Sequence, residues 1–373
     1  MKKFIIICVS VTLLLIISGC SFEPHKTVSV TPIVSEMPDP TRDLGEKETK
    51  LELGKLLEGV IGGAKYKVHV PEKWNGKLLI YAHGLVQAYE PLVVTLVTDS
   101  PDHIKMIEEG WIIASTSFRR NGFILGDAFE DIDNLREFIE SKYGKSRIAI
   151  VQGYSMGGLI AARMSECDYN YDGFLAIGAV YDISVNYAPK KPILFLSNQD
   201  EVDFPMEYCG NVKEDSVKPA VWRVSRDGHC NVNGKEVSAC IDALLNWIEN
   251  DEIIYEKDIT MEYDLTSKAV FDNNGAQAKI IAVDEPNYNI DTEFIKDDLE
   301  KLTIKNGEHF NLIFNGDKVF KVLYGKSYTD VGFGEWVAYL NANGYLKIAR
   351  NFSSIVDYTD CKVGDRVYIK KTD

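Results

Sequence analysis

The ten residues at 151–160, VQGYSMGGLI, constrain this chain more than any other stretch. An apolar run breaks at Gly153, Ser155 and Gly157, then resumes. Glycines on either side of a serine let a strand turn sharply into a helix, with the serine Oγ lifted clear of the backbone. The same five-residue pattern also arises by chance in glycine-rich loops. Its meaning therefore depends on the partners that the rest of the chain supplies.

From about residue 60 the chain alternates apolar strands with amphipathic helices. Strands are expected at KYKVHVP (65–71), KLLIYAHG (77–84), WIIASTSF (111–118), RIAIVQGYS (147–155), GFLAIGAV (173–180), PILFLSNQD (192–200) and AVWRVSRDGH (220–229). Helices are expected at 101–109, 126–144, from Gly157 onward and at 237–250. In 126–144, Phe129, Ile132, Leu135, Phe138 and Ile139 make one apolar stripe, closed by Gly144. Such alternation predicts an α/β fold with a mainly parallel sheet covered on both faces.

Ligands meet such sheets at the carboxyl ends of the strands. His83, Ser155, Asp200 and His229 all fall there. A serine is a weak nucleophile at neutral pH and needs a base within hydrogen-bond reach, oriented by an acid. His229, in an Asp-Gly-His loop before the last helix, is the expected base. Asp200 is the expected acid, with Asp203 and Asp182 as alternatives. The backbone N–H groups of Met156 and Leu85 are the expected oxyanion donors. His83, Arg119, Arg120 and Tyr154 are candidate substrate contacts, with His83 read as fixing its loop rather than carrying a proton.

Net charge is −15 over 373 residues, which argues against nucleic acid as a partner and against electrostatic docking on anionic lipid. The N-terminus offers another route to a membrane. Lys2 and Lys3 precede a short apolar run ending in Ile17-Ser18-Gly19-Cys20. This resembles a bacterial lipoprotein signal, with residues 1–19 removed and Cys20 lipidated. Two acyl chains would then hold the protein on the extracytoplasmic face of the envelope. Residues 20–52, rich in Pro, Ser, Thr and charge, read as a tether. Cys167, Cys209, Cys230, Cys240 and Cys361 remain, without metal-ligand spacing; Cys230 reads as structural or as half of a bridge to Cys209 or Cys240. Nothing in the sequence implies a metal or a cofactor.

HGL at 83–85, GYSMGGLIA at 153–161, DGFLAIGAV at 172–180 and DGHCNVN at 227–233 together resemble the α/β-hydrolase superfamily over residues 53–250. The chain order serine, acid, histidine is that of the superfamily. The resemblance implies a serine hydrolase cleaving a small ester or acyl substrate, with a minimal cap in YDISVNYAPKKP (181–192). A peptidase of the same fold and a catalytically silent surface binding protein are the alternative readings.

After Asn250 the pattern changes to short strands separated by Gly, Asn and Asp turns. EHFNLIFNGDKVFKVLYG (308–325) and GEWVAYLNANGYLKIARN (334–351) read as hairpins, so residues 251–373 are expected to form a small β-barrel. This region resembles the C-terminal domain of the S-adenosylmethionine hydroxide adenosyltransferase and fluorinase family, where the barrel helps to hold adenine. Arg350 and Asn351 match the adenine-side loop, but Asn343 stands where arginine is frequent and Phe352 replaces a small residue. The family's N-terminal domain is absent, so no adenosyl chemistry is expected. An independent β-module is the first reading and nucleoside binding the second.

Overall fold

The computed structural model describes residues 45–96, 100–284, 288–314 and 318–372. Cys20, the segment read as a signal and most of the segment read as a tether lie outside the described residues. Among the described residues, no helix is long and apolar enough to cross a membrane.

Ten strands build the first sheet: β1 (Lys47–Leu51), β2 (Gly54–Ile61), β3 (Ala64–Val70), β4 (Lys77–Ala82), β5 (Ile112–Thr116), β6 (Ile148–Tyr154), β7 (Gly173–Ile177), β8 (Ile193–Asn198), β9 (Ala220–Val224) and β10 (Glu256–Asp258). Their spatial order is β1-β2-β3-β5-β4-β6-β7-β8-β9-β10. The first four in that order run antiparallel, and the pairs from β5–β4 onward are parallel. The exchange of β4 and β5 within an otherwise sequential sheet is the α/β-hydrolase order.

Helices α1 (Pro101–Glu108), α2 (Leu125–Tyr143), α3 (Met156–Ser165), α4 (Asp203–Gly210) and α5 (Gly234–Asn250) connect these strands. Alternate side chains of a strand point to opposite faces, so β4 feeds two cores. Leu78 and Ile80 pack with Leu135 of α2 and Leu159 of α3. Leu79 packs with Met106 of α1 and Leu244 of α5. In α2 the buried apolar positions are Ala128, Ile132, Leu135 and Ile139. Phe129 and Phe138, expected on that stripe, are only partly buried at its edge. Helix α5 starts at a capping box: the Asn233 side chain accepts from the Glu236 amide, and the Glu236 carboxylate accepts from the Asn233 amide.

The sheet reaches beyond the expected 53–250 domain at both ends. The β1–β2 hairpin extends it back to Lys47, into the segment read as tether, and β10 adds a strand after Asn250. Between β7 and β8 lies a loop without a helix, so the cap is minimal.

The second sheet contains β11 (Val270–Phe271), β12 (Ala276–Val283), β13 (Ile290–Ile295), β14 (His309–Phe314), β15 (Lys318–Tyr324), β16 (Trp336–Leu340), β17 (Tyr345–Arg350) and β18 (Arg366–Lys371). Pairing of β12 with β18 closes seven of these strands into a barrel. Both expected hairpins form, β14–β15 and β16–β17. Phe310, Leu312 and Phe314 alternate inward from β14 to meet Phe294, Ile348 and Ile369. Each fully buried side chain of this size contributes roughly 1.5–3 kcal/mol.

Candidate active site

Ser155 sits between β6 and α3 at φ 58°, ψ −117°, a strained conformation for a residue with a Cβ. The flanking glycines make it possible. A Cβ on Gly153 would stand 1.9 Å from the Gly157 carbonyl oxygen, and one on Gly157 would stand 2.0 Å from that of Ala82. Only glycine lets the backbones of β4, β6 and α3 approach this closely. The Ser155 amide donates to the Ile177 carbonyl at 2.9 Å, which fixes the turn against β7.

The Ser155 hydroxyl lies 2.7 Å from His229 Nε2. On the other side of the ring, His229 Nδ1 lies 2.5 Å from Glu201 Oε2. A carboxylate only accepts, so Nδ1 carries the proton and donates to Glu201, leaving Nε2 free to accept from the serine. Glu201 is held in turn by the Cys230 amide, which donates to Oε1 at 3.0 Å. Burial opposes protonation of His229, but contacts with the Cys230 thiol and the Glu201 carboxylate outweigh it and raise its pKa. Burial also raises the Cys230 pKa, and Glu201 is the carboxylate in direct contact with the ring.

Asp200, the expected acid, does not reach His229. Both of its carboxylate oxygens accept from the Gly228 amide, at 3.2 and 3.1 Å. The turn after β8 aims successive side chains differently, and the longer Glu201 takes the position at the imidazole. Asp203 begins α4, and Asp182 accepts from the Ser184 amide within its own loop. Asn198, at the end of β8 and absent from the sequence reading, pins the histidine loop. Its side chain accepts from the Asn231 amide at 2.7 Å and donates to the Arg226 and Asn231 carbonyls, both at 3.0 Å.

Met156 is the first residue of α3, so its N–H has no acceptor within the helix. Leu85 follows Gly84, where an added Cβ would lie 3.9 Å from Ser155 Oγ. Met156 thus adjoins the serine directly, and Leu85 follows a glycine that packs beside it. His83 is buried, donates through Nδ1 to the Gly84 carbonyl at 2.7 Å and packs on Phe118; burial lowers its pKa.

The arginines read as substrate contacts are engaged elsewhere. Arg119 clasps buried Asp131 through Nε at 2.8 Å and Nη2 at 2.6 Å, and its amide donates to the other oxygen. Arg120 pairs with Asp127. Tyr154 lines a separate polar cavity with Tyr81, Asp102 and Gln152. The described cysteines, Cys230 included, are free thiols, which removes the bridges considered for Cys230. Glu201, His229 and Cys230 are the one grouping among the described residues whose donor atoms could converge on a metal. A metal there would compete with the hydrogen bond that already joins Glu201 to His229.

The barrel is not separate from this site. Lys326 pairs with Asp227 at 2.6 Å, and Asn231 donates to the Leu340 carbonyl at 3.2 Å. The Tyr328 ring stands edge-on to His229, with centroids 6.4 Å apart. An independent module does not describe this arrangement, because the histidine loop is held from both domains.

Residues 278–368 match the SAM hydroxide adenosyltransferase C-terminal domain family. A fluorinase of Nocardia brasiliensis is 34% identical over 89 residues, which cover 24% of this chain and 30% of that protein. The chain thus spans less than a third of the length of the curated relatives it matches. Among solved structures, acetyl xylan esterase 1 from Thermoanaerobacterium aligns over 57% of this chain and 89% of its own, at 13% identity and a TM-score of 0.41. An esterase of Pyrococcus furiosus aligns over 54% and 90%, at 15% identity and a TM-score of 0.37. These scores are low, and the α/β-hydrolase fold rests on the strand order itself. The chain therefore joins a sheet of α/β-hydrolase fold to a barrel that matches the SAM hydroxide adenosyltransferase C-terminal domain family over residues 278–368.

Proposed function

We propose that the protein is a serine hydrolase that cleaves carboxylic esters through an acyl-enzyme on Ser155. The observation that carries this reading is His229, bridging Ser155 Oγ at 2.7 Å and Glu201 Oε2 at 2.5 Å. Nε2 takes the serine proton as Oγ attacks the ester carbonyl, and the resulting imidazolium is stabilised by Glu201. The Met156 and Leu85 amides receive the developing oxyanion, a role typically worth about 3 kcal/mol per donor. The imidazolium then protonates the leaving alkoxide, and water repeats the sequence to release the acid. Labelling of the intact protein by a fluorophosphonate, lost in Ser155→Ala with the fold retained, is the expected result. Undiminished labelling of that variant would overturn the assignment.

A second reading, cleavage of a peptide bond after a free amino terminus, draws support from one feature. A cavity of about 370 Å³ beside His229 is also lined by Glu201, Asp203 and Glu207, which would suit an ammonium group. Turnover of aminoacyl anilides faster than of simple esters would favour it.

We also infer attachment to the bacterial envelope through lipidated Cys20, on the extracytoplasmic side, from the charged start, apolar run and Ile17-Ser18-Gly19-Cys20. Cys20→Ser should then move the protein to the aqueous fraction. A processed variant that stays with the membrane would refute the anchor.

A further inference from the structure

A cavity of about 360 Å³ opens between the loop after β4 and the barrel. Ser155 and His229 are not in its lining, but each wall includes a residue beside one of them or beside its neighbour. One wall starts at Leu85, next to the glycine that borders Ser155 Oγ. The other starts at Tyr328, whose ring stands against His229.

Its lining carries four aromatic rings, Tyr89, Tyr288, Tyr328 and Phe352, set among polar groups such as Gln87 and Asn289. Tyr89, Tyr288 and Phe352 are 70%, 39% and 48% exposed, a concentration of open rings that a solvated surface does not favour. Phe352 is held outward at φ 50°, edge-on to Tyr328 at 6.1 Å and stacked on Phe333 at 6.2 Å. Arg350 is the one cation in the lining, and it is already engaged. Its guanidinium donates to the Gly334 and Ser354 carbonyls and lies 3.8 Å over the Tyr358 ring. Glu90 and Asp357 add carboxylates to the lining, which disfavour an anionic guest.

We propose that the barrel supplies the specificity wall of the hydrolase, and that this cavity takes an uncharged aromatic group of the ester. The inference rests on the serine-hydrolase reading and deepens it. Ring-on-ring contact with Phe352 and Tyr89 would orient the substrate, with its ester carbonyl between Ser155 Oγ and the Leu85 amide.

The test compares kcat/KM of the full chain for benzyl acetate and methyl phenylacetate with that for ethyl acetate, alongside fluorophosphonate labelling. At least one aromatic ester should be preferred by about ten-fold or more, roughly what one or two ring contacts supply. Adding a para-carboxylate to the preferred ester should remove that preference. Phe352→Ala and Tyr89→Ala should each narrow the ratio, chiefly through KM, whereas Phe352→Tyr should restore it; thermal melts show that each variant is folded. A labelled protein with no aromatic preference, or with a preference untouched in both alanine variants, overturns the inference and leaves the hydrolase reading standing. Absence of labelling overturns the hydrolase reading, and the inference with it.

Discussion

Replacing Glu201 by glutamine tests the site at the point where sequence and geometry part. The change keeps size and removes one charge from a pair whose side chains are only 24% and 17% exposed. In the proposed acylation His229 becomes an imidazolium facing that charge. Two unit charges about 4 Å apart attract by about 4 kcal/mol at the effective dielectric of a partly buried site. Loss of that term costs about three orders of magnitude in rate. A glutamine amide can also donate to Nδ1, which would put the ring proton on Nε2 and block acceptance from Ser155. Glu201→Gln should therefore lower kcat for 4-nitrophenyl acetate by about 10³-fold or more, with KM little changed. The pH profile carries a separate sign. Because Glu201 helps to raise the His229 pKa and the neutral ring is the working base, removing the charge should move the acid limb of kcat/KM to lower pH, on a lower plateau. Asp200→Asn, at the carboxylate that holds the Gly228 amide, should cost far less. If Glu201→Gln keeps a tenth of the activity while Asp200→Asn loses a thousand-fold, the acid is Asp200 and the geometry has been misread.

Arg119→Ala should act on stability rather than recognition. It strands buried Asp131 with only the backbone N–H of residue 119, for a loss of roughly 2 kcal/mol by chemical denaturation. A selective drop in kcat/KM for anionic esters at unchanged stability would instead restore Arg119 as a substrate contact. Gly157→Ala should cost about 3 kcal/mol or more, since its Cβ would enter the Ala82 carbonyl; an unshifted melting temperature would count against the tight turn.

The periodic parts of the chain announced themselves. Seven strands, the amphipathic helices and the barrel hairpins follow from apolar spacing and turn residues, and Ser155 and His229 follow from their places at strand ends. The choice between Asp200 and Glu201 did not. Both acids follow the same strand, and which one faces the imidazole depends on the twist of a single turn and on the length of one side chain. Arg119 had the opposite difficulty: an arginine at a strand end looks available until Asp131, twelve residues on, is folded beneath it. The wall of the barrel-side cavity was illegible for another reason. Tyr89, Tyr288 and Phe352 share no pattern and meet only because two domains close on one another.

Residues 227–233 belong to neither domain alone. Asn198 and Asp200 grip this loop from the sheet, while Lys326 and the Leu340 carbonyl grip it from the barrel. The position of His229 is thus a joint property of two folds. A recombination that exchanged the barrel for another domain would have to replace the two barrel contacts, those of Lys326 and Leu340. Drift at the seam would register as a displaced imidazole long before either fold came apart.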